Sequence, residues 1–323
     1  MADPQPELSA LLRALADGDW HSGEQLAMRA GCSRAALAKR VARLKRDYAL
    51  DIAATAGRGY RLAEPLDPLD AEAMRDALRA RTDTVTVLDT VDSTNRWLLD
   101  APPSADPQVC TAEMQSAGRG RRGRDWASPF GRSLYLSVSW HFAHTAAALG
   151  ALPLAMGCAA ADALEAAGAR AVGLKWPNDL VVDGGKLGGL LIEARGEMGG
   201  SFRVVVGLGV NVYRHAGLDA LDQPAVALAD CVTGAPPARS ALCAALADAM
   251  LAGCARFAEQ GLDAFRDAFA RRDVLRDRPV TVHAAGAWQG IARGVDPSGA
   301  LLVADATGAL QAVHAGDVSV RPA

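Results

Sequence analysis

The sequence predicts an α+β protein in three parts, and three observations carry that prediction. Glu64-Pro65-Leu66-Asp67-Pro68 breaks every periodic pattern and separates a short helical piece from the rest. Beyond it, strand runs and helices mix without strict β-α-β alternation. After Arg276 the chain changes again, into short alternating runs punctuated by glycine and proline. The parts fall at 1–63, 68–273 and 276–323, and a chain of 323 residues is long enough for each to bury a core.

In the first part, Glu7 to Leu15 carries apolar residues at helical spacing and ends near Gly18. Ser22-Gly23-Glu24-Gln25 opens a second short helix that Gly31 closes, and Ser33 N-caps a third running to about Tyr48. Two extended runs, Asp51–Thr55 and Gly59–Leu62, join through Ala56-Gly57-Arg58-Gly59. Three helices and a Gly-tipped hairpin make a winged helix-turn-helix. Leu37, Val41 and Leu44 share one face of the third helix, while Lys39, Arg43 and Arg46 share another. Arg34, Arg40 and Lys45 raise the basic groups to six, with no acid before Asp47. That charge fits a DNA-reading helix, with Ser33, Arg34, Lys39, Arg40 and Arg43 as contacts and Arg58 at the wing tip; a solvated charged face is the alternative. Residues 1–63 hold ten Lys/Arg against seven Asp/Glu, whereas the remainder holds 24 against 30. A basic piece on an acidic body points to different partners for the two.

In the middle part, Thr84–Leu88, Val109–Glu113, Leu134–Trp140, Gly173–Lys175, Leu180–Val182, Gly189–Glu193 and Phe202–Asn211 read as strands. Ser93–Leu99, Ala147–Ala167, Ser240–Gln260 and Asp263–Arg271 read as helices. The apolar stretch Thr145–Ala169 contains Pro153, Asp162 and Glu165, so a buried helix is expected rather than a membrane span. The last part, with runs at Val280–Ala284, Gln289–Val295, Leu301–Ala304 and Gln311–His314, predicts a five-stranded SH3-like β-barrel. Six scattered cysteines without a C-x-x-C, histidines without ligand spacing and no secretory pattern predict a reduced cytoplasmic protein with no fixed metal site and no membrane partner.

Five segments carry chemistry. Gln115-Ser116-Ala117-Gly118-Arg119-Gly120-Arg121-Arg122-Gly123-Arg124-Asp125-Trp126 contains G-x-G-x-x-G after a strand. Trp126-Ala127-Ser128-Pro129 prevents the helix that a dinucleotide loop needs, and no acid follows before Asp162 to hold a ribose. A mobile loop that closes over polyphosphate and nucleotide, its arginines holding phosphate oxygens, fits better, against the alternative of a charged surface loop. Lys175-Trp176-Pro177-Asn178-Asp179 ends a strand. Gly184-Gly185-Lys186-Leu187-Gly188-Gly189-Leu190-Leu191-Ile192-Glu193 resembles a Walker loop at its Gly-Lys pair, but Leu187 stands where Ser or Thr is required. Lys186 therefore reads as a cation entering an apolar strand, or as a surface lysine after a turn. Asp92-Ser93-Thr94-Asn95 opens a helix with N-caps or ligand contacts, and Gly207-Leu208-Gly209-Val210-Asn211 ends a strand on a capping or ligand-binding asparagine.

In this order the five segments, with the winged helix before them, resemble the bifunctional biotin protein ligases that also repress the biotin operon. The resemblance covers essentially the whole chain, and its most specific marks are the Arg/Gly loop and K-W-P-N-D. It implies a central mixed-sheet domain of the biotin/lipoate ligase type, with biotin and Mg-ATP as substrates and no tightly bound prosthetic group. Biotinyl-5′-adenylate would form and pass its biotin to a lysine of the biotin carboxyl carrier protein of acetyl-CoA carboxylase. By the same resemblance Ser93, Thr94, Asn95 and Gln115 would hold biotin's ureido ring. Arg119, Gly120 and Arg121 would hold carboxylate and phosphate, and Lys186 would reach the carboxylate or bridging oxygen, which makes Arg119, Arg121 and Lys186 the catalytic set. Arg124, Trp126, Lys175, Asn178, Asp179, Asn211 and Arg321 would meet ATP or the adenylate. A ligand-promoted homodimer on biotin operator DNA is implied, with Phe202–Val210 as the pairing edge. Rival readings are a lipoate ligase, a monofunctional ligase whose N-terminal domain does not repress, and a sensing repressor without catalysis. The segment between Asn211 and Ser240 carries no interpretable motif.

Overall fold

The computed structural model describes residues 6–102, 104–142, 146–195, 202–283, 286–316 and 319–322. The N-terminal piece contains α1 (Pro6–Leu15), α2 (Gly23–Arg29), α3 (Arg34–Asp47), β1 (Ile52–Thr55) and β2 (Gly59–Leu62). Ser33 caps α3 as its sequence predicts, accepting from the Ala36 N–H at 3.2 Å. Leu37, Val41 and Leu44 are buried with the leucines of α1. The wing needs glycine at 59: φ is +98°, and a Cβ there would stand 2.0 Å from the His21 carbonyl oxygen.

The central part comprises α4 (Ala71–Leu78), β3 (Thr84–Val91), α5 (Thr94–Asp100), β4 (Gln108–Gln115), β5 (Ser133–Phe142), α6 (Leu152–Ala166), β6 (Gly173–Lys175), β7 (Asp179–Val182), β8 (Gly185–Arg195), β9 (Phe202–Asn211), α7 (Ala216–Asp219), α8 (Arg239–Gln260) and α9 (Arg266–Arg272). Seven strands form one sheet in the order β3-β4-β5-β9-β8-β7-β6. Only β3 and β4 run parallel, so the sheet is mixed. α4 escapes the sequence reading; Asp70 caps it by accepting from the Glu72 and Ala73 N–H groups. The predicted helix from Ala147 begins instead as a 3-10 turn, Ala146–Ala151, before α6.

β9 is the clearest correction. The expected pairing edge lies at the centre of the sheet, bonded to β5 on one side and β8 on the other. The cause is in its composition: Val204, Val206, Leu208 and Val210 pack into the main core under α6 and α8, while Val205 packs beneath α5 with Leu98 and Cys110. A strand apolar on both faces belongs inside a sheet. Leu149–Ala166 and Arg239–Arg272 have the length and apolarity of membrane spans, but α6 and α8 within them turn that apolarity onto the sheet. All six cysteines are free thiols, and burial pushes Cys243 up to about 11 and Cys254 to about 12.

At the C-terminal end, β10 (Pro279–His283), β11 (Ala287–Val295), β12 (Leu301–Ala304), β13 (Leu310–Val313) and β14 (Ser319–Pro322) form an antiparallel sheet ordered β13-β12-β11-β10-β14. No pairing of β13 with β14 closes it into the expected barrel among the described residues. Arg321 lies on β14 opposite Thr281, and its side chain falls outside the described residues. Trp176 fastens this sheet to the body, its indole N–H donating to Gly299 O at 3.0 Å. At the other end Tyr48, the residue after α3, stacks on Phe130 at 4.7 Å, and Arg13 donates to Leu69 O at 2.8 Å.

A buried ion pair of the central part also anchors the linker between the first two parts. Arg239, fully buried, meets Glu113 at 2.7 Å and also donates to Asp67 O and Ser133 O, while Glu113 accepts from the Leu69 N–H. Arg239→Met would leave the Glu113 carboxylate buried and unpaired, and a loss of about 3–5 kcal/mol is expected. Urea unfolding measures it; a loss below about 1 kcal/mol would mean that water reaches the carboxylate.

Candidate active site

The sheet has a packed face and a hollow face, and the hollow one makes the site. Along β9 the residues opposite the core are Val205, Gly207, Gly209 and Asn211, so two positions in a row carry no side chain. Gly207 stands across from Ser137 and Leu191, and Gly209 across from Tyr135 and Gly189. The space left is a cavity of about 570 Å³, walled by α5, the Arg/Gly loop and residues 218–224. Both glycines are required by what enters the gap. A Cβ on Gly207 would lie 2.3 Å from Asn95 Oδ1, and one on Gly209 would lie 2.6 Å from the Trp126 ring.

One end of the cavity is a polar cluster. The Thr94 N–H and hydroxyl both donate to Gln115 Oε1, at 2.9 and 3.1 Å, and Gln115 Nε2 donates to Ser128 Oγ at 3.2 Å. Asn95 Oδ1 accepts from Ser137 at 2.7 Å, and its Nδ2 donates to Glu193 Oε2 at 2.8 Å and Leu191 O at 3.2 Å. The carboxylate can only accept, which fixes the orientation of the Asn95 amide. Ser93 is buried at the N-cap of α5 but makes no capping bond there, so the capping alternative fails for its side chain. Ser128, Ser137 and Glu193 belong to this cluster, and sequence reasoning passed over all three as site residues.

The other end is cationic. The Arg/Gly loop doubles back on itself: Gly120 N–H donates to Arg124 O, Trp126 N–H to Gly118 O, and Arg119 bridges Asp125 through the backbone. Arg122 sits at φ +59° and Gly123 at φ +68°, two consecutive left-handed residues that turn the tip. Arg119 reaches Glu193 at 3.1 Å. Arg121 donates to Asn178 Oδ1 at 3.5 Å and to the carbonyl of Ala315, just past β13 of the C-terminal part, and burial lowers its pKa against the opposing pull of Asp179. Lys186 Nζ lies 2.6 Å from Asp179 and 5.4 Å from the centre of the Trp126 ring.

A β-bulge brings Lys186 to this face. The pairing of β7 with β8 runs Leu180↔Gly188 and then Val181↔Lys186, so Leu187 is an extra residue. Lys186 and Glu193 are seven apart and would point oppositely on a regular strand; the inserted residue returns them to one side.

Gly120, Arg124, Lys175, Asn178, Asp179 and Val320 also line the cavity. Asn178 is committed to the backbone as well, donating to Leu190 O at 2.6 Å. Asn211 lines the wall, but its amide donates to Lys186 O and Val226 O, both at 3.3 Å. It ties β8 to the segment that the sequence left unread, and that segment supplies Leu218, Leu221, Asp222, Gln223 and Pro224 to the wall.

On the winged helix, Arg34, Lys39 and Arg58 are exposed and Arg43 is partly so, near Asp47. Arg40 departs from expectation. Its guanidinium turns inward onto Glu7 of α1 and is only 16% exposed, since α1 and α3 cross there. Arg58 lies 4.5 Å over the Trp20 ring.

Models of three families match the chain: the HTH domain over residues 7–61, the biotin/lipoate A/B protein ligase family over 87–211, and the biotin protein ligase C-terminal domain over 277–321. The bifunctional ligase/repressor BirA of Salmonella typhimurium is 39% identical over 97% of each chain, and that of Escherichia coli is 37% identical over the same shares. The biotin–[acetyl-CoA-carboxylase] ligase of Mycobacterium tuberculosis is 35% identical over 78% of this chain and 95% of its own. Among solved structures, the Aquifex aeolicus biotin protein ligase in complex with biotin and ATP superimposes at a TM-score of 0.64 with 25% identity, over 75% of this chain and all of that one. With its helix-turn-helix domain, its ligase core and this identity along nearly its full length, the chain belongs to the biotin protein ligase family.

Proposed function

We propose that the cavity joins biotin to ATP and passes the biotinyl group to a lysine of the biotin carboxyl carrier protein of acetyl-CoA carboxylase. One observation carries this reading: a single cavity has the Thr94–Gln115–Asn95 cluster at one end and Arg119, Arg121 and Lys186 at the other. Its volume suits a substrate of this size, within the roughly 300–1,000 Å³ of small-molecule sites. Ser93, Thr94, Asn95 and Gln115 take the uncharged ureido ring. Arg119, Gly120, Arg121 and Lys186 take the carboxylate and the α-phosphate of Mg-ATP, with Trp126 beside the adenine. Arg124, Lys175, Asn178, Asp179 and Arg321 surround the nucleotide, while Asn211 serves through its hold on the Lys186 backbone.

The chemistry asks for no nucleophilic side chain. A biotin carboxylate oxygen attacks the α-phosphorus, and the bond to pyrophosphate breaks. The carrier lysine's neutral amine then attacks the acyl carbon, AMP leaves, and the amine's proton passes to solvent. Two anions must approach one another, so fixed cations lower the barrier by position and by charge. Lys186, held by Asp179 beside the pocket, is the cation closest to that role.

The winged helix carries a second reading. Arg34 and Lys39 are exposed on α3 and present positive charge to a DNA backbone, as operator binding by a homodimer requires. With β9 central, the pairing edge moves to β8. β7 pairs with β8 only as far as Gly189, and Leu190 turns its backbone outward to Asn178. Alternation then points the backbone of Ile192 and Ala194 to the same open side. A second chain pairing there would extend the sheet.

Lys186→Met should cut biotin-dependent exchange of pyrophosphate into ATP by about a hundredfold or more, the cost of losing one transition-state donor. Full exchange in that variant would remove Lys186 from the chemistry. Arg121→Gly should keep adenylation yet release the adenylate, so that unrelated proteins become biotinylated; blots showing the carrier alone would count against that role. Biotin and ATP together should raise affinity for biotin-operon promoter DNA in gel shifts, and Ala194→Pro should abolish the rise by blocking the β8 edge. Affinity indifferent to the ligands would leave the ligase and end the repressor reading.

A further inference from the structure

We infer that Glu193 is a specificity-determining residue: it pairs with Arg119 and yields that guanidinium to the carboxylate of incoming biotin. The inference rests on the biotin reading of the cavity given above. Glu193 lies on β8 on the same face as Gly189 and Leu191, opposite Val205 of β9, and its side chain is 23% exposed. Its two oxygens do different work. Oε1 lies 3.1 Å from Arg119 Nη2, while Oε2 accepts from Asn95 Nδ2 at 2.8 Å and stands 3.4 Å from the same arginine.

The two duties separate chemically. Toward Asn95, Glu193 needs only an acceptor atom, and that bond sets which way the amide of the polar cluster faces. Toward Arg119 it supplies a negative charge, the same charge that biotin brings. A carboxylate already on Arg119 docks the Arg/Gly loop against β8 before substrate arrives. It also sets a threshold: a ligand must offer an anion to displace it, and an uncharged analogue with the same ring system cannot. Glu193 therefore links the ring-binding end of the pocket to the carboxylate-binding end through one side chain.

Glu193→Gln keeps an acceptor for Asn95 and removes the charge from Arg119. Glu193→Ala removes both. By calorimetry, Glu193→Gln should bind biotin roughly two- to fivefold tighter, the size of a part-exposed ion pair, and bind the uncharged alcohol analogue of biotin as the wild type does. Glu193→Ala should weaken both ligands together. Adding Arg119→Ala should erase the difference between wild type and Glu193→Gln for biotin, as a coupled pair requires. Thermal unfolding of each variant distinguishes a lost contact from a lost fold. If Glu193→Gln weakens biotin and the alcohol equally, or changes neither, the competition does not exist. If wild-type protein binds no biotin, the reading of the cavity fails instead.

Discussion

Everything in the site depends on a sheet whose two faces are filled unequally. On the face under α6 and α8, β9 presents Val204, Val206, Leu208 and Val210, and all four are buried in the main core. On the other face Gly207, Gly209 and Gly189 stand side by side, and the missing side chains are the cavity. The packed face holds the strands rigid, so that the hollow face keeps its shape. Function thus costs the protein one face of its own core. α5 restores part of that loss with Leu98 against Cys110 and Val205.

Into this hollow the chain brings Arg119, Arg121 and Lys186, and like charges so close require counter-charges before substrate arrives. Glu193 meets Arg119 and Asp179 meets Lys186, while Arg121 leans on two neutral oxygens, Asn178 Oδ1 and Ala315 O. These partners hold the three cations in place around one cavity. They also draw on different elements: β8, β7 and the C-terminal part each hold one cation. The small sheet is therefore more than an appendage, since Trp176 fixes it to the body and Ala315 meets the Arg/Gly loop.

The sequence disclosed the elements better than their neighbours. Segment chemistry pointed to Ser93–Asn95, Gln115, Arg119–Arg121 and Lys186, and all of them line one cavity. What stayed hidden was pairing at a distance. Nothing local in Glu193 tells that Asn95 and Arg119 converge on it, and nothing local in Arg40 tells that Glu7 will take it from solvent. The resemblance places Phe202–Val210 at a pairing edge, but its valines are buried on both faces, and that puts β9 inside the sheet. The bulge at Leu187 is invisible without the partner strand, although it decides which way Lys186 points. Asn211 read equally well as a cap or a ligand contact. Its two carbonyl partners show that its amide ties β8 to the following segment while the residue lines the cavity.

The same geometry bears on why a DNA-binding helix and a ligase share one chain. Trp126 and Ser128 belong to the cavity wall and its hydrogen-bond cluster, and Phe130 follows two residues later. Phe130 is buried in the core of the winged helix and stacks on Tyr48, the residue that ends α3. Glu113, two residues before Gln115, anchors the linker through Leu69 and Arg239. The strand and loop that build the substrate site are thus the surfaces on which the N-terminal piece rests. Any shift of Trp126 or Gln115 that a ligand imposes acts next to the base of α3, with few bonds between to absorb it. A domain tethered only by a flexible linker would lack that connection.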